Sequence, residues 1–136
     1  MKISFFALLF IVAVAAGQAQ FNTFRFAFIS DTHIGSPDGK AEEDLRRTVA
    51  DINEIDNIAF VVITGDITEL GTNEEIKNAK QILDKLKVPY YIIPGNHDTG
   101  WSESGGTTFV KVFANDKFSF EYSGIRFLGC ASGPYL

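Results

Sequence analysis

Apolar positions along the chain fall into two alternating periods. Residues 24–30, FRFAFIS, read as a strand. From Lys40 to Asp56, Leu45, Val49, Ile52 and Ile55 recur at helical spacing, and Glu42, Glu43 and Asp44 near the start suit the positive end of a helix dipole. Residues 58–64, IAFVVIT, form a continuous β-branched run of the kind found in a parallel strand covered on both faces. Thr72 then offers an N-cap with Glu75 three residues on, the pattern of a capping box. The helix behind it places Ile76, Ala79, Leu83 and Leu86 on one face and ends before Pro89. Residues 90–93, YYII, make the third strand.

This order, β-α-β-α-β, predicts an α/β fold with parallel strands and right-handed crossovers. Beyond Asp98 a loop, TGWSESGGT, carries Trp101. A short helical or extended piece follows from Thr107 to Phe113. KFSFEYSGIRFLGC then reads as a β-hairpin turning at Ser123-Gly124. No internal repeat or low-complexity tract interrupts the pattern.

Composition narrows the class. With 136 residues there is room for one domain, and 46% hydrophobic against 21% charged residues describes a globular protein. The net charge of −5 repels a nucleic-acid backbone at long range. An acidic protein that handles phosphate must neutralise it locally, and bound metal is one way to do so. Residues 1–19 read as a signal peptide: Lys2, an apolar run from Ile3 to Ala16, then Gly17 and Ala19 as the small residues before the cut. Cleavage after Ala15 is the alternative. The run is shorter than the roughly 20 residues that span a bilayer, so the expectation is a secreted or periplasmic protein without a stable membrane anchor. Cys130 is the sole cysteine, which excludes an internal disulfide, and it reads as a small core residue.

The chemistry collects at the strand ends. Asp31-Thr32-His33 follows the first strand, Gly65-Asp66 the second, and Gly95-Asn96-His97-Asp98 the third. In an open parallel sheet, ligands bind beyond the carboxyl ends of the strands, and parallel alignment brings all three groups to one edge. Both histidines of the chain are there. Carboxylate plus imidazole suits Mn, Fe or Zn better than Ca or Cu(I). Asp31 and His33, two apart in an extended segment, are expected to point the same way and bite one ion, and Asp66 to bridge two ions. Gly65 and Gly95 let the backbone turn with no side chain in the way. Each motif alone is an ordinary turn; the set in order, each behind a strand, points to a site.

DTH, GD and GNHD, with about one β-α unit between neighbours, resemble the N-terminal motifs of the calcineurin-like metallophosphoesterase family over residues 24–130. The resemblance implies the N-terminal half of a four-layer α/β sandwich with a two-metal centre and a phosphate-ester small-molecule substrate. It implies that Asp31, His33 and Asp66 hold the first ion, and Asp66 with Asn96 the second. His97 would lie just outside the metal ligands, acting on the leaving group or the transition-state charge, with Asn96 and His97 also contacting substrate. Water activated between two divalent ions would attack phosphorus in line.

Departures from the pattern select a branch. Glu69, three residues past Asp66, stands where purple acid phosphatases carry tyrosine and protein Ser/Thr phosphatases aspartate. It reads either as the acid that orients His97 or as a solvated loop acid. The arginines of the protein phosphatase motifs are missing, so the chain looks more like exported phosphatases and cyclic-nucleotide phosphodiesterases. Trp101 either stacks on a substrate ring or packs its loop down. The family completes its centre with three further histidines after the GNH motif, and this chain has none after His97. Residues 20–136 are therefore expected to be the N-terminal part of a metal-dependent phosphoester hydrolase, inactive by itself. The alternative is a non-catalytic truncated relative with at most weak single-metal binding. A nucleotide-binding module is disfavoured because no glycine-rich phosphate loop follows any strand.

Overall fold

The structure, a computed structural model, describes residues 23–132. The signal-peptide expectation for residues 1–19 lies outside them. Strands β1 (Arg25–Ile29), β2 (Ile58–Thr64) and β3 (Tyr90–Ile93) form a parallel sheet in the order β1-β2-β3. Helix α1 (Ala41–Glu54) joins the first pair and α2 (Asn73–Leu83) the second. A four-residue helix α3 (Asn96–Thr99) and α4 (Thr107–Phe113) follow, and β4 (Lys117–Tyr122) and β5 (Ile125–Cys130) close the chain as an antiparallel hairpin. The α/β class and the N-terminal half-sandwich with its hairpin are thus present.

Both faces of β2 are covered, as its unbroken apolar run requires. Val61 and Ile63 face a core built with Leu45, Val49 and Ile52 of α1, Ile76, Ala79, Ile82 and Leu83 of α2, and Phe109 of α4. Phe60, on the other face, is buried among the rings of Phe26, Tyr91, Phe120, Tyr122 and Phe127, with centroids 5.0–6.0 Å away. The hairpin therefore roofs the sheet opposite the helices. Edge-to-face rings of this kind add about 0.5–1.5 kcal/mol per pair beyond burial.

Local signals set the element ends. The capping box at Thr72 is formed: its hydroxyl accepts from the Glu75 backbone N–H at 3.2 Å while Glu75 accepts from the Thr72 N–H at 3.1 Å. Ser123 and Gly124 take left-handed φ angles of 50° and 77°, the requirement of a two-residue hairpin turn. Three expectations change. Ile55 is not on the buried stripe of α1; it is the extended C-cap, 47% exposed, because the helix stops at Glu54. Leu86 lies beyond α2, half-buried against the core. Cys130 is exposed rather than in the core, since β5 presents that position to solvent. Among the described residues no helix is long and apolar enough to cross a membrane.

Candidate metal centre

Beyond the strand ends, the first two loops continue side by side. Asp31 N–H donates to the Gly65 carbonyl at 3.1 Å, His33 N–H to the Asp66 carbonyl at 3.0 Å, and Ile34 N–H to the Ile67 carbonyl at 2.8 Å. Glu69 N–H returns to the Ile34 carbonyl at 2.8 Å. Ile34 and Ile67, both fully buried, anchor this extension, so the polar residues between them are held at the sheet edge.

Asp31, His33 and Asp66 each bring one donor atom within 4.8 Å of the others. They converge for a different reason than strand alternation. All three sit in left-handed backbone, with φ of 57°, 46° and 47°, so the Asp31–His33 segment is kinked rather than extended. A residue with a Cβ there costs on the order of 1–3 kcal/mol and persists only where its surroundings over-determine it. Two carboxylates and an imidazole are a donor set that Mn, Fe or Zn accepts, and the three residues fit one such ion.

The second group is built around Glu69. Its carboxylate lies 2.9 Å from His33 Nδ1, while its backbone carbonyl accepts from His97 Nδ1 at 2.6 Å. The side chain thus orients His33, not His97, because the loop after β2 turns its carbonyl toward His97. With Nδ1–H committed in each ring, Nε2 is the nitrogen left for a ligand, the usual arrangement of a metal-ligating histidine and its carboxylate. His33, Glu69 and His97 also have donor atoms within 4.8 Å of one another.

Asn96 opens α3 at the exposed mouth of this edge. His97 follows, its ring edge-on to His33 at 4.8 Å and stacked on Trp101 at 4.5 Å and 23°. Trp101 is 61% exposed, so it does pack against its loop yet keeps most of its surface open. The backbone N–H of His97 donates to Asp66 Oδ1 at 3.1 Å, linking the second and third loops directly. That approach needs glycine. A Cβ on Gly65, whose φ is +92°, would stand 2.5 Å from Gly95 N, and one on Gly95 would overlap Asp66 Oδ1.

One residue of the GNHD motif has a place that its type alone did not reveal. Asp98 is completely buried, and both its oxygens are filled by donors from the neighbouring loops. Burial pushes its carboxyl above the ordinary range, and the hydrogen bonds from Thr68, Gly95 and Ile67 pull it back.

An α/β protein with carboxylate and imidazole donors at the carboxyl edge of a parallel sheet has the layout of a metal-dependent hydrolase domain. Residues 24–135 match the model of the calcineurin-like phosphoesterase family, and the chain belongs to that family. A probable glycerophosphodiester phosphodiesterase GpdQ of Arcobacter nitrofigilis is 44% identical over 77 residues, which is 52% of this chain and 28% of the relative. The glycerophosphodiester phosphodiesterase GpdQ of Enterobacter lignolyticus is 38% identical over 79 residues, 53% of this chain and 28% of its own. A probable cyclic nucleotide phosphodiesterase of Rhodopseudomonas palustris is 34% identical over 80 residues, 54% and 29% of the two chains. The matched region thus spans under a third of each of these relatives. Proteins of this family use divalent metals, and candidate residues for holding one are together here.

Proposed function

We propose that this chain is the front part of an exported, metal-dependent phosphodiesterase. The observation that carries the reading is the convergence of Asp31, His33 and Asp66 at the carboxyl edge of the sheet, within a chain of this family. These three would hold the first ion, and Asp66 with Asn96 would offer the first two donors to a second. Divalent ions held there would supply charge to neutralise phosphate and to acidify a water. Glu69 fixes the ring of His33. His97 has its Nδ1–H held by the Glu69 carbonyl, which leaves Nε2 free; when that nitrogen is also protonated it donates to a phosphoryl or leaving-group oxygen. Trp101 backs the His97 ring and leaves a face open toward substrate. The relatives' names support a diester, with a glycerol or nucleoside alcohol, as the substrate class. The leader-like residues 1–19 support export.

Two oxygen donors hold an ion poorly, so the second ion needs ligands beyond those in these residues. The relatives' greater length supports a longer catalytic protein. The second reading, a non-catalytic single-ion binder, draws on the Asp31, His33 and Asp66 triad, which suits one ion. The test has two arms. Mn²⁺ titration of the 136-residue chain is expected to give one ion per chain, abolished in Asp66→Asn. Sequencing the message past the Leu136 codon separates the two readings: an open frame with further histidines supports the diesterase, and an immediate stop supports the single-ion binder. Failure of the intact chain to bind Mn²⁺ overturns the metal centre.

A further inference from the structure

The two loops that carry Asp66 and Asn96-His97 meet on one buried carboxylate. Asp98 Oδ1 accepts from the Thr68 backbone N–H at 2.9 Å and the Thr68 hydroxyl at 2.6 Å. Its Oδ2 accepts from the Gly95 N–H at 2.8 Å and the Ile67 N–H at 3.3 Å. Ile67 and Thr68 directly follow Asp66, and Gly95 directly precedes Asn96. One side chain therefore grips the backbone immediately beside a candidate ligand in each loop. All four donors arrive from outside its own side chain, so neither oxygen is left over for a metal ion.

We propose that Asp98 is a positioning residue of this centre: it holds Asp66 in its left-handed conformation and fixes the distance from Asp66 to Asn96 and His97. The inference rests on the metal-centre reading given above. Three features of the loops require such a device. Asp66 is a non-glycine residue with φ of 47°, a conformation that persists only where surrounding contacts hold it. The loops touch across Gly65 and Gly95 with no side chain between them to interlock. The contact from His97 N–H to Asp66 Oδ1, at 3.1 Å, uses an oxygen that a metal ion would also draw on. The Asp98 contacts use no ligand atom, so they persist whether or not an ion is bound.

The chemistry at position 98 is selective. An asparagine of the same shape presents an NH₂ group to two of the four donors, whichever way its amide is turned. Two hydrogen bonds are lost, and two buried donors are left facing a third. Thr68→Val is the milder change, since it deletes one hydroxyl and leaves the three backbone contacts.

The test compares wild-type chain, Asp98→Asn, Thr68→Val and Ile82→Ala by Mn²⁺ titration, thermal unfolding and amide hydrogen exchange. Ile82 is a buried α2 residue, and its truncation is the control for lost stability alone. Asp98→Asn is expected to weaken Mn²⁺ binding about tenfold or more, the scale of lost support around a metal ligand. Its Ile67, Thr68 and Gly95 amides exchange faster while those of central β2 do not. Ile82→Ala melts earlier yet keeps its Mn²⁺ affinity within about twofold, because additivity holds between distant sites. Equal affinity loss in Asp98→Asn and Ile82→Ala at matched stability, or unchanged affinity in Asp98→Asn, overturns the proposal. Should Asp98→Asn not fold, a few-fold affinity loss in Thr68→Val sustains it and no loss overturns it. Where wild-type chain binds no Mn²⁺ the metal reading fails on its own. The latch is then judged on the three amides, faster exchange in the variant supporting it and unchanged exchange refuting it.

Discussion

Glu69 serves two histidines with two different atoms, its carboxylate with His33 and its carbonyl with His97. A side-chain substitution therefore separates the two functions. Glu69→Gln is expected to lower Mn²⁺ affinity about 10–100-fold through the His33 ring. At this partly buried position the change in urea-unfolding free energy is expected to be about 1 kcal/mol or less, and the His97 contact to the backbone stays intact. At this scale the sequence told part of the story. That Asp31, His33, Asp66, Asn96 and His97 gather at one edge of the sheet was legible, because each follows a strand that is itself legible. The place of Asp98 was not, since three of its four donors come from the loop after β2, and no local pattern carries that information. The left-handed backbone at Asp31, His33 and Asp66 was equally hidden, because only glycine advertises such conformations by type.

The elements show how local signals and tertiary contacts share the work. Helix α2 begins where Thr72 and Glu75 cap one another, and Thr72→Ala is expected to cost about 1 kcal/mol in urea unfolding. Its far end is tied to β3 by a network in which Tyr90 OH donates to Asp84 at 2.8 Å and Lys80 pairs with the same carboxylate. Burial, followed by the bond to Asp84, pushes the Tyr90 hydroxyl up to about 12 from the ordinary phenol value of 10.0. A raised value in the folded state means that the neutral phenol is preferred there. The stability this contributes is complete below pH 10 and is lost as pH rises toward about 12. Chemical denaturation along that range is expected to show a decline that Tyr90→Phe flattens. The sequence placed β2, β3 and the capping box correctly because each is set by its own residues. It misplaced Ile55, because one apolar residue at helical spacing cannot reveal that the helix has already ended.

The whole molecule is two apolar layers sharing one central strand. Val61 and Ile63 belong to the helical core, and Phe60 and Val62 to the opposite face of β2. Phe60 is the ring on which the hairpin rests, so Phe60→Ala is expected to cost about 3–5 kcal/mol. Limited proteolysis should then cut first near Ser123, as the roof loosens from the sheet. Outside this contact, Phe28 and Leu128 remain 63% and 73% exposed, a pair of apolar residues on β1 and β5 that water meets directly.

The stacking of Trp101 on His97 has an experimental consequence. Trp101 is the only indole in the chain, and it stands against one of the two imidazoles of the centre. Light absorbed selectively by indole therefore reports from a single location, a ring's width from the chemistry. Its emission is expected to respond to occupancy of this edge of the sheet and to stay silent to events under the hairpin. The molecule carries its own optical probe, already placed where a label would otherwise have to be attached.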